Sequence, residues 1–341
     1  MRKEVTIKDV AKAAGVSSMT VSRVLNDRPD VSPQTRKRVQ EIIEDLGYSP
    51  SLIARNLSRG RSSTLGVVSS SLEYYGPSHT LVGIEQKASE LGFSLMVRLL
   101  HDSLLNRGEQ ALDDLLAYQV AGIIWAVAEI GDHRDWLVGR LKEVARPAVL
   151  ISMEPRQGTS LVSVNNRQGA RMAAGHLLAQ GYQKVGIISG PQSWWEARQR
   201  EQGWREVMEE AGYRDLDRLR EAGNWTAAGG HVAMKALLER VPDLDGVFVG
   251  NDSMALGALQ AAQSYGRSVP QDLGIVGFDD IPEAAYFSPP LTTVRQDLLE
   301  LGCQAVGLLN RQLQAQCNEE ALAAQVSWLQ PQLIVRSSTG R

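Results

Sequence analysis

Residues 15 to 26 read GVSSMTVSRVLN, in which a single charge, Arg23, stands among small, hydroxyl-bearing and β-branched side chains. If Val21, Val24 and Leu25 turn toward a core, Ser18, Met19, Ser22 and Arg23 are left outside on a helix slim enough to enter the DNA major groove. There an arginine can pair with guanine and a methionine can touch a thymine methyl, which makes Ser18, Met19 and Arg23 candidate base readers. Thr20 and Ser22 are then candidate phosphate neighbours, and the start of such a helix favours an anion. Catalytic chemistry is harder to find. Asp279 and Asp280 adjoin, but consecutive residues at a strand end usually point in opposite directions. His79, His101, His133, His176 and His231 fall in no HExxH-like spacing, and neither a P-loop nor a GxSxG elbow is present. Cys303 and Cys317 form no CxxC pair, so reduced thiols are expected in place of a zinc knuckle or disulfide framework. No enzyme activity, metal or cofactor is expected.

A helix that reads DNA needs a scaffold, and the first 48 residues supply one. Thr6 with Asp9 three residues on begins a helix whose apolar positions are Ile7, Val10, Ala11 and Ala14, and Gly15 ends it. Ser17 caps the second helix, and a third opens at Ser32 with Pro33 in its first turn and runs through Val39, Ile42, Ile43 and Leu46 to Gly47. Two short helices joined by a turn containing glycine make a helix-turn-helix, and three helices of this size can close one small core. Charge agrees: residues 1–61 carry 12 Lys/Arg against 7 Asp/Glu, while the remaining 280 carry 24 against 32. A basic head meets a polyanion and an acidic body does not. A short helical pattern capped by Ser49 and Pro50 and a Ser/Arg/Gly linker over 58–63 follow the head.

From Thr64 onward, apolar strand-like runs alternate with amphipathic stretches. TLGVVSS, FSLMVRLL, GIIWAV and PAVLIS are separated by helical segments near 78–91, 105–119 and 133–145. The cycle repeats with LVSVN, KVGIISG, GVFVGN and LGIVGFDD and helices near 167–180, 194–211, 226–240 and 252–265. The fold class expected is thus an all-α helix-turn-helix head plus an α/β core of two doubly wound parallel-sheet subdomains, with ligands favoured at the carboxyl ends of strands. No apolar run approaches the roughly 20 residues that span a bilayer, and MRKEVTIKDV has no apolar signal core. A soluble, cytoplasmic protein is expected.

The order GVSSMTVSRVLN, VSPQTRKRV, LGYSPSLIARNL and TLGVV resembles the DNA-binding head and hinge of transcription regulators of the lactose-repressor (LacI/GalR) family. The resemblance continues through SSLEYYGPSH, GPQSWWEARQREQGW, GNW, GNDSMALGA, VGFDD and PPLTTVRQD to about residue 338, and is strongest to the sugar-induced branch. It implies a periplasmic-binding-protein-like core with a small effector between subdomains. It also implies a head over 1–48, a hinge helix and linker over 49–63, and a core over 64–338. The chain would cross between subdomains near 164, 292 and 325, giving an N-subdomain of about 64–164 and 293–325 and a C-subdomain of about 165–292 and 326–338.

Carried over residue by residue, the resemblance implies a DNA surface of Thr6, Ser17, Ser18, Met19, Thr20, Ser22, Arg23 and Asn26. Ala54, Arg55 and Leu57 would belong to the hinge, with Leu57 as an apolar wedge in the minor groove. The implied sugar contacts are Arg200, Trp225, Asn251, Asp279 and Gln296, with Tyr74, Gly76 and Pro77 lining the pocket and Trp194 and Trp195 as further wall candidates. Such a set suits a carbohydrate: the charged and amide groups bond to hydroxyls and an indole faces the C–H side of a pyranose. Where the sugar-induced branch has an aspartate at the end of the strand matched by PAVLIS, this chain has Ser152, with Glu154 two residues on. Met19 and Asn56 also depart from the commonest family choices, which leaves the operator sequence open. The resemblance implies repression of a carbohydrate operon through a pseudo-palindromic operator, with release by a sugar inducer. A corepressor-driven regulator of the same fold and a free sugar-binding protein are the alternatives. The chain ends at Arg341 without a leucine-heptad tail, so a homodimer is expected.

Overall fold

The computed structural model describes residues 5–26, 28–48, 62–100, 108–127, 134–144 and 146–340. The chain forms two compact units, Met1–Ser63 and Thr64–Arg341. The first holds α1 (Ile7–Ala14), α2 (Ser18–Leu25) and α3 (Pro33–Leu46). The Asp9 carboxylate accepts from the Thr6 backbone N–H at 2.9 Å and from its hydroxyl at 2.7 Å, which fixes the start of α1. Gly15, at φ 63°, ends the helix and lets the Val16 N–H reach the Ala11 carbonyl at 3.0 Å. The Ser17 hydroxyl accepts from the Thr20 N–H at 3.1 Å, and that of Ser32 from the Thr35 N–H at 3.2 Å, so both later helices are capped. Val10, Ala11, Ala14, Val21, Val24 and Val39 form the buried core, sealed by half-buried Ile7, Leu25, Ile42 and Ile43.

Among the described residues the second unit contains two six-stranded sheets. The first is built from β1 (Thr64–Ser70), β2 (Ser94–Leu100), β3 (Gly122–Ala126), β4 (Ala148–Ile151), β5 (Ser160–Val164) and β11 (Val326–Leu329), in the order β11-β5-β4-β3-β1-β2. The second is built from β6 (Val185–Ser189), β7 (Arg220–Ala222), β8 (Gly246–Val249), β9 (Gly274–Asp279), β10 (Thr292–Arg295) and β12 (Gln332–Ile334), in the order β12-β10-β9-β8-β6-β7. All pairings are parallel except β10 with β12. Helices α4 (Tyr75–Glu90), α5 (Gly108–Ala117), α6 (Arg134–Glu143) and α11 (Leu298–Cys317) cover the first sheet. The second sheet is covered by α7 (Asn166–Ala179), α8 (Trp195–Glu210), α9 (Ala227–Arg240) and α10 (Asp252–Ser264). Central strands β3, β5, β6, β8 and β9 are apolar runs buried nearly end to end, as sheets covered on both faces require.

Several elements go beyond those read from sequence: α11, β7, β10, β11 and β12. Strands β7 and β12 have three residues each and largely open faces, so no apolar run announces them. Two of the expected crossings move with them. Strand β10 hydrogen-bonds to β9 in the second sheet, so the chain returns to the first subdomain at 296–297 and not at 292. Strand β11 pairs with β5 in the first sheet, which puts the last crossing at 330–331 and not at 325. The remaining crossing lies between β5 and α7, at 164–166. None of the described helices is long and apolar enough to cross a membrane.

Candidate functional site

On the head, α2 buries Val21 and Val24 and presents Met19, 65% exposed, with Arg23 beside it. Ser18, Thr20, Ser22 and Asn26 are half-buried around them. The Ser17 and Thr20 hydroxyls share a 3.0 Å hydrogen bond, and the Asn26 amide donates to the Ser22 carbonyl at 2.9 Å. Arg23 forms a 3.3 Å ion pair with Asp30, about half exposed on both sides. Exposed pairs of this kind are worth about 0–1 kcal/mol, so Asp30 holds Arg23 only weakly. The Thr6 hydroxyl is engaged by Asp9 at the exposed entry to α1. Ala54, Arg55, Asn56 and Leu57 lie outside the described residues.

In the larger unit, the carboxyl ends of β1, β3, β4, β8, β9 and β10 open onto one cleft with an empty volume of about 750 Å³, its mouth included. Such strand ends are where open parallel sheets bind ligands. Ser70, Ala126, Ile151 and Ser152 line it from the first sheet, and Asn251, Asp279 and Gln296 from the second. Tyr74 and Trp194 stand at the N-caps of α4 and α8, one from each subdomain, and Gly76 and Pro77 occupy the first turn of α4. The rings of Tyr74 and Trp194 meet edge to face at 5.7 Å, and those of Trp194 and Trp225 at 5.8 Å, making a continuous aromatic wall. Room for the Trp225 ring comes from Gly190, where a Cβ would lie 2.0 Å from it.

The polar half of the cleft centres on Arg200, 5% exposed. Its guanidinium donates to Asn166 Oδ1 at 2.8 Å and to the Gly250 carbonyl, lies 3.8 Å from Asp279 Oδ1, and covers the Phe278 ring at 3.9 Å. Burial lowers the Arg200 pKa, while Asp279, Glu196 and Asp252 support its charge. Burial likewise pushes Asp279 up to about 6, against the pull of Arg200 and of the Gln296 amide, which donates to Asp279 Oδ1 at 2.6 Å. Asn251 has less to offer a ligand than its residue type promises. Its Oδ1 caps α10 by accepting from the Met254 N–H at 2.9 Å, and its Nδ2 donates to the Trp225 carbonyl at 3.1 Å, leaving one amide hydrogen. Trp225 Nε1–H is buried without a hydrogen-bond partner.

The structure departs from the sequence reading at two points in the cleft, Trp195 and Glu196. Trp195 is not part of the wall: its ring points away, 5% exposed, and stacks on Trp328 at 6.3 Å, because successive residues at a helix start face different ways. Glu154 is exposed and does not line the cleft, whereas Ser152 does. Glu196, one turn before Arg200 on α8, lines the cleft and was not picked out; its i, i+4 spacing from Arg200 was the available signal. No sequence pattern announces that Ser152, Trp225 and Asp279 have positive φ, at 54°, 69° and 116°. Non-glycine residues rarely do, and they gather at ligand sites. Among the described residues no group of three or more His, Cys, Asp or Glu could hold a metal.

The chain matches the family described as bacterial regulatory proteins, lacI family, over residues 6–51, and the periplasmic binding protein-like domain over residues 174–339. It is 32% identical over 314 residues to the lactose operon repressor of Escherichia coli strain K12, spanning 92% of this chain and 86% of that protein. It is 33% identical over 338 residues to the ribose operon repressor of the same strain, spanning 98% of this chain and 99% of that protein. A crystal structure of the lac repressor dimer bound to operator and the anti-inducer ONPF superposes with a TM-score of 0.91 at 31% identity, covering 99% of this chain and 100% of that one. Head, core and sequence agree over nearly the whole length: the chain belongs to the lacI family of DNA-binding transcriptional repressors.

Proposed function

We propose that the chain represses a carbohydrate-utilisation operon in the cytoplasm as a homodimer on a pseudo-palindromic operator, and that a saccharide bound in the cleft releases it. The observation that carries the effector class is Trp225, whose ring walls the cleft beside the Arg200–Asp279 pair while its buried Nε1–H has no partner. An apolar face next to a donor, a cation and a carboxylate is what a pyranose or furanose needs, with C–H bonds on one side and hydroxyls around the rim. Two relatives are named as repressors of the lactose and the ribose operon, both of them sugar operons. Release follows if the saccharide prefers a subdomain arrangement that binds operator poorly, since an effector shifts an equilibrium only by its differential affinity. A thermal-shift panel of mono- and disaccharides tests the effector class: one member should raise the Tm in proportion to the logarithm of its saturation. A flat panel at millimolar concentration contradicts the reading.

Two further outcomes follow from the geometry. Arg23→Ala should weaken specific operator binding by about 1–3 kcal/mol and relax preference at one base position, as read by anisotropy on single-base operator variants. Unchanged preference at every position would remove Arg23 from base readout. The second concerns pH. Burial raises Asp279 from its ordinary 3.8 to about 6, so its ionisation costs stability as pH rises from about 4 to about 6. Sugar hydroxyls donate to the ionised carboxylate, so saccharide affinity should fall as pH drops below 6, by roughly tenfold per unit at most. Calorimetric titration at pH 7.5, 6 and 5 checks this; a flat Kd would mean that Asp279 does not accept from the sugar.

A further inference from the structure

The cleft carboxylate Asp279 and its neighbour Asp280 stand in succession at positive φ, 116° and 56°. Neither is glycine, so this backbone persists only if its surroundings impose it. What imposes it is visible. Asp252, at the start of α10, has no exposed surface, yet it is not in the cleft wall. Its Oδ1 accepts from the Thr293 hydroxyl on β10 at 2.6 Å, and its Oδ2 from the Ile281 N–H at 2.9 Å. Ile281 follows directly on the left-handed pair. Gly277, two residues before Asp279, leaves room for this carboxylate: a Cβ there would lie 2.1 Å from Asp252 Oδ1. From the other side, the Asp280 carboxylate is held by Arg295 at the end of β10 and by Arg336 in the C-terminal tail, each at 2.6 Å.

We propose that Asp252 is the positioning residue of the effector site: by tying Ile281 to Thr293 it fixes the left-handed turn that aims the Asp279 carboxylate at Arg200 and the cleft. Burying a second carboxylate beside Asp279 is unfavourable, and burial together with Asp279 raises the Asp252 pKa. An apolar side chain would pack there without that penalty, but it could not accept from both Ile281 and Thr293. The position therefore trades stability for the placement of one ligand group. The effect on saccharide binding rests on the saccharide reading above, whereas the effect on the backbone does not.

The test is made on full-length protein carrying Asp252→Ala, Asp252→Asn or Thr293→Val, the last keeping the side-chain shape while removing the donor to Asp252. Amide exchange followed by mass spectrometry should show faster exchange confined to a peptide covering 278–282 in Asp252→Ala and, to a smaller extent, in Thr293→Val. Asp252→Asn keeps an acceptor for Ile281, and the Thr293 hydroxyl can turn to accept from the new amide, so its exchange should stay near wild type. Lactose, cellobiose, maltose and ribose serve as probes: for any that stabilises the wild type, Kd should rise about tenfold or more in Asp252→Ala, while operator affinity without sugar stays within about twofold. Unchanged exchange over 278–282 in both Asp252→Ala and Thr293→Val would overturn the proposal, as would a uniform rise over α9 and α10, which marks general loosening. If none of the four sugars stabilises the wild type, the saccharide reading is weakened and the exchange result still decides the role of Asp252.

Discussion

Arg200→Met is expected to raise the saccharide concentration needed for release by about one to two orders of magnitude while leaving operator binding without saccharide intact. The substitution removes the cleft's buried cation and with it the donors to Asn166 and the Gly250 carbonyl. A charged hydrogen bond to a ligand is worth about 1.5–3 kcal/mol, so affinity should fall by one to two orders of magnitude. The core should also become less stable. Removing one partner of a buried ion pair costs about 3–5 kcal/mol when the other charge is stranded. Asp279 avoids that fate by taking up a proton, since it already titrates near 6. The loss should therefore sit near the lower figure, and the Tm of the variant should recover partly at pH 5. A variant that leaves its operator at the same saccharide concentration as the wild type would remove Arg200 from the site.

Gly190→Ala should have a comparable effect from a single methyl group. The new Cβ would lie 2.0 Å from the Trp225 ring, and the ring cannot simply retreat because Trp194 meets it edge to face at 5.8 Å. Overpacking of this kind costs about 1–3 kcal/mol in stability. It would also swing the aromatic wall and the partnerless Nε1–H out of register with Arg200 and Asp279, lowering saccharide affinity by roughly tenfold or more. The head is a separate compact unit with its own core of Val10, Val21 and Val39, so specific DNA binding should persist. Calorimetric melting of the variant with and without sugar checks both numbers. Wild-type Tm and affinity together would show that Trp225 is free to move and is not a fixed wall.

How much of this was legible in the sequence differs from one residue to the next. Helix α2 was legible because Ser17, Val21 and Val24 carry cap and stripe within eight residues, with no long-range information needed. The two sheets were legible because strands buried on both faces are unbroken apolar runs, as in GIIWA and VGIIS. The crossings were displaced because β10 and β11 have four residues each and their sheet membership is decided by tertiary pairing alone. Residue types at the cleft were readable through family resemblance, but what those residues have left to offer was not. Asn251 is largely committed to a helix cap and the Trp225 carbonyl, while Trp194 and Trp195, identical in type and adjacent, point to the cleft and away from it. The left-handed pair at Asp279 and Asp280 left no mark at all, because its cause lies in Asp252, Arg295 and Arg336, distant in sequence.

The central claim is that occupancy of the cleft and occupancy of DNA oppose one another. It is tested most directly by the equilibrium affinity of the full-length protein for its operator fragment at fixed salt, with and without a saturating amount of the saccharide that most raises its Tm. Coupling between such sites is typically about 1–3 kcal/mol, so the saccharide should weaken operator binding about 5- to 150-fold. Operator binding that is tightened or left unchanged by the saturating saccharide would contradict the account.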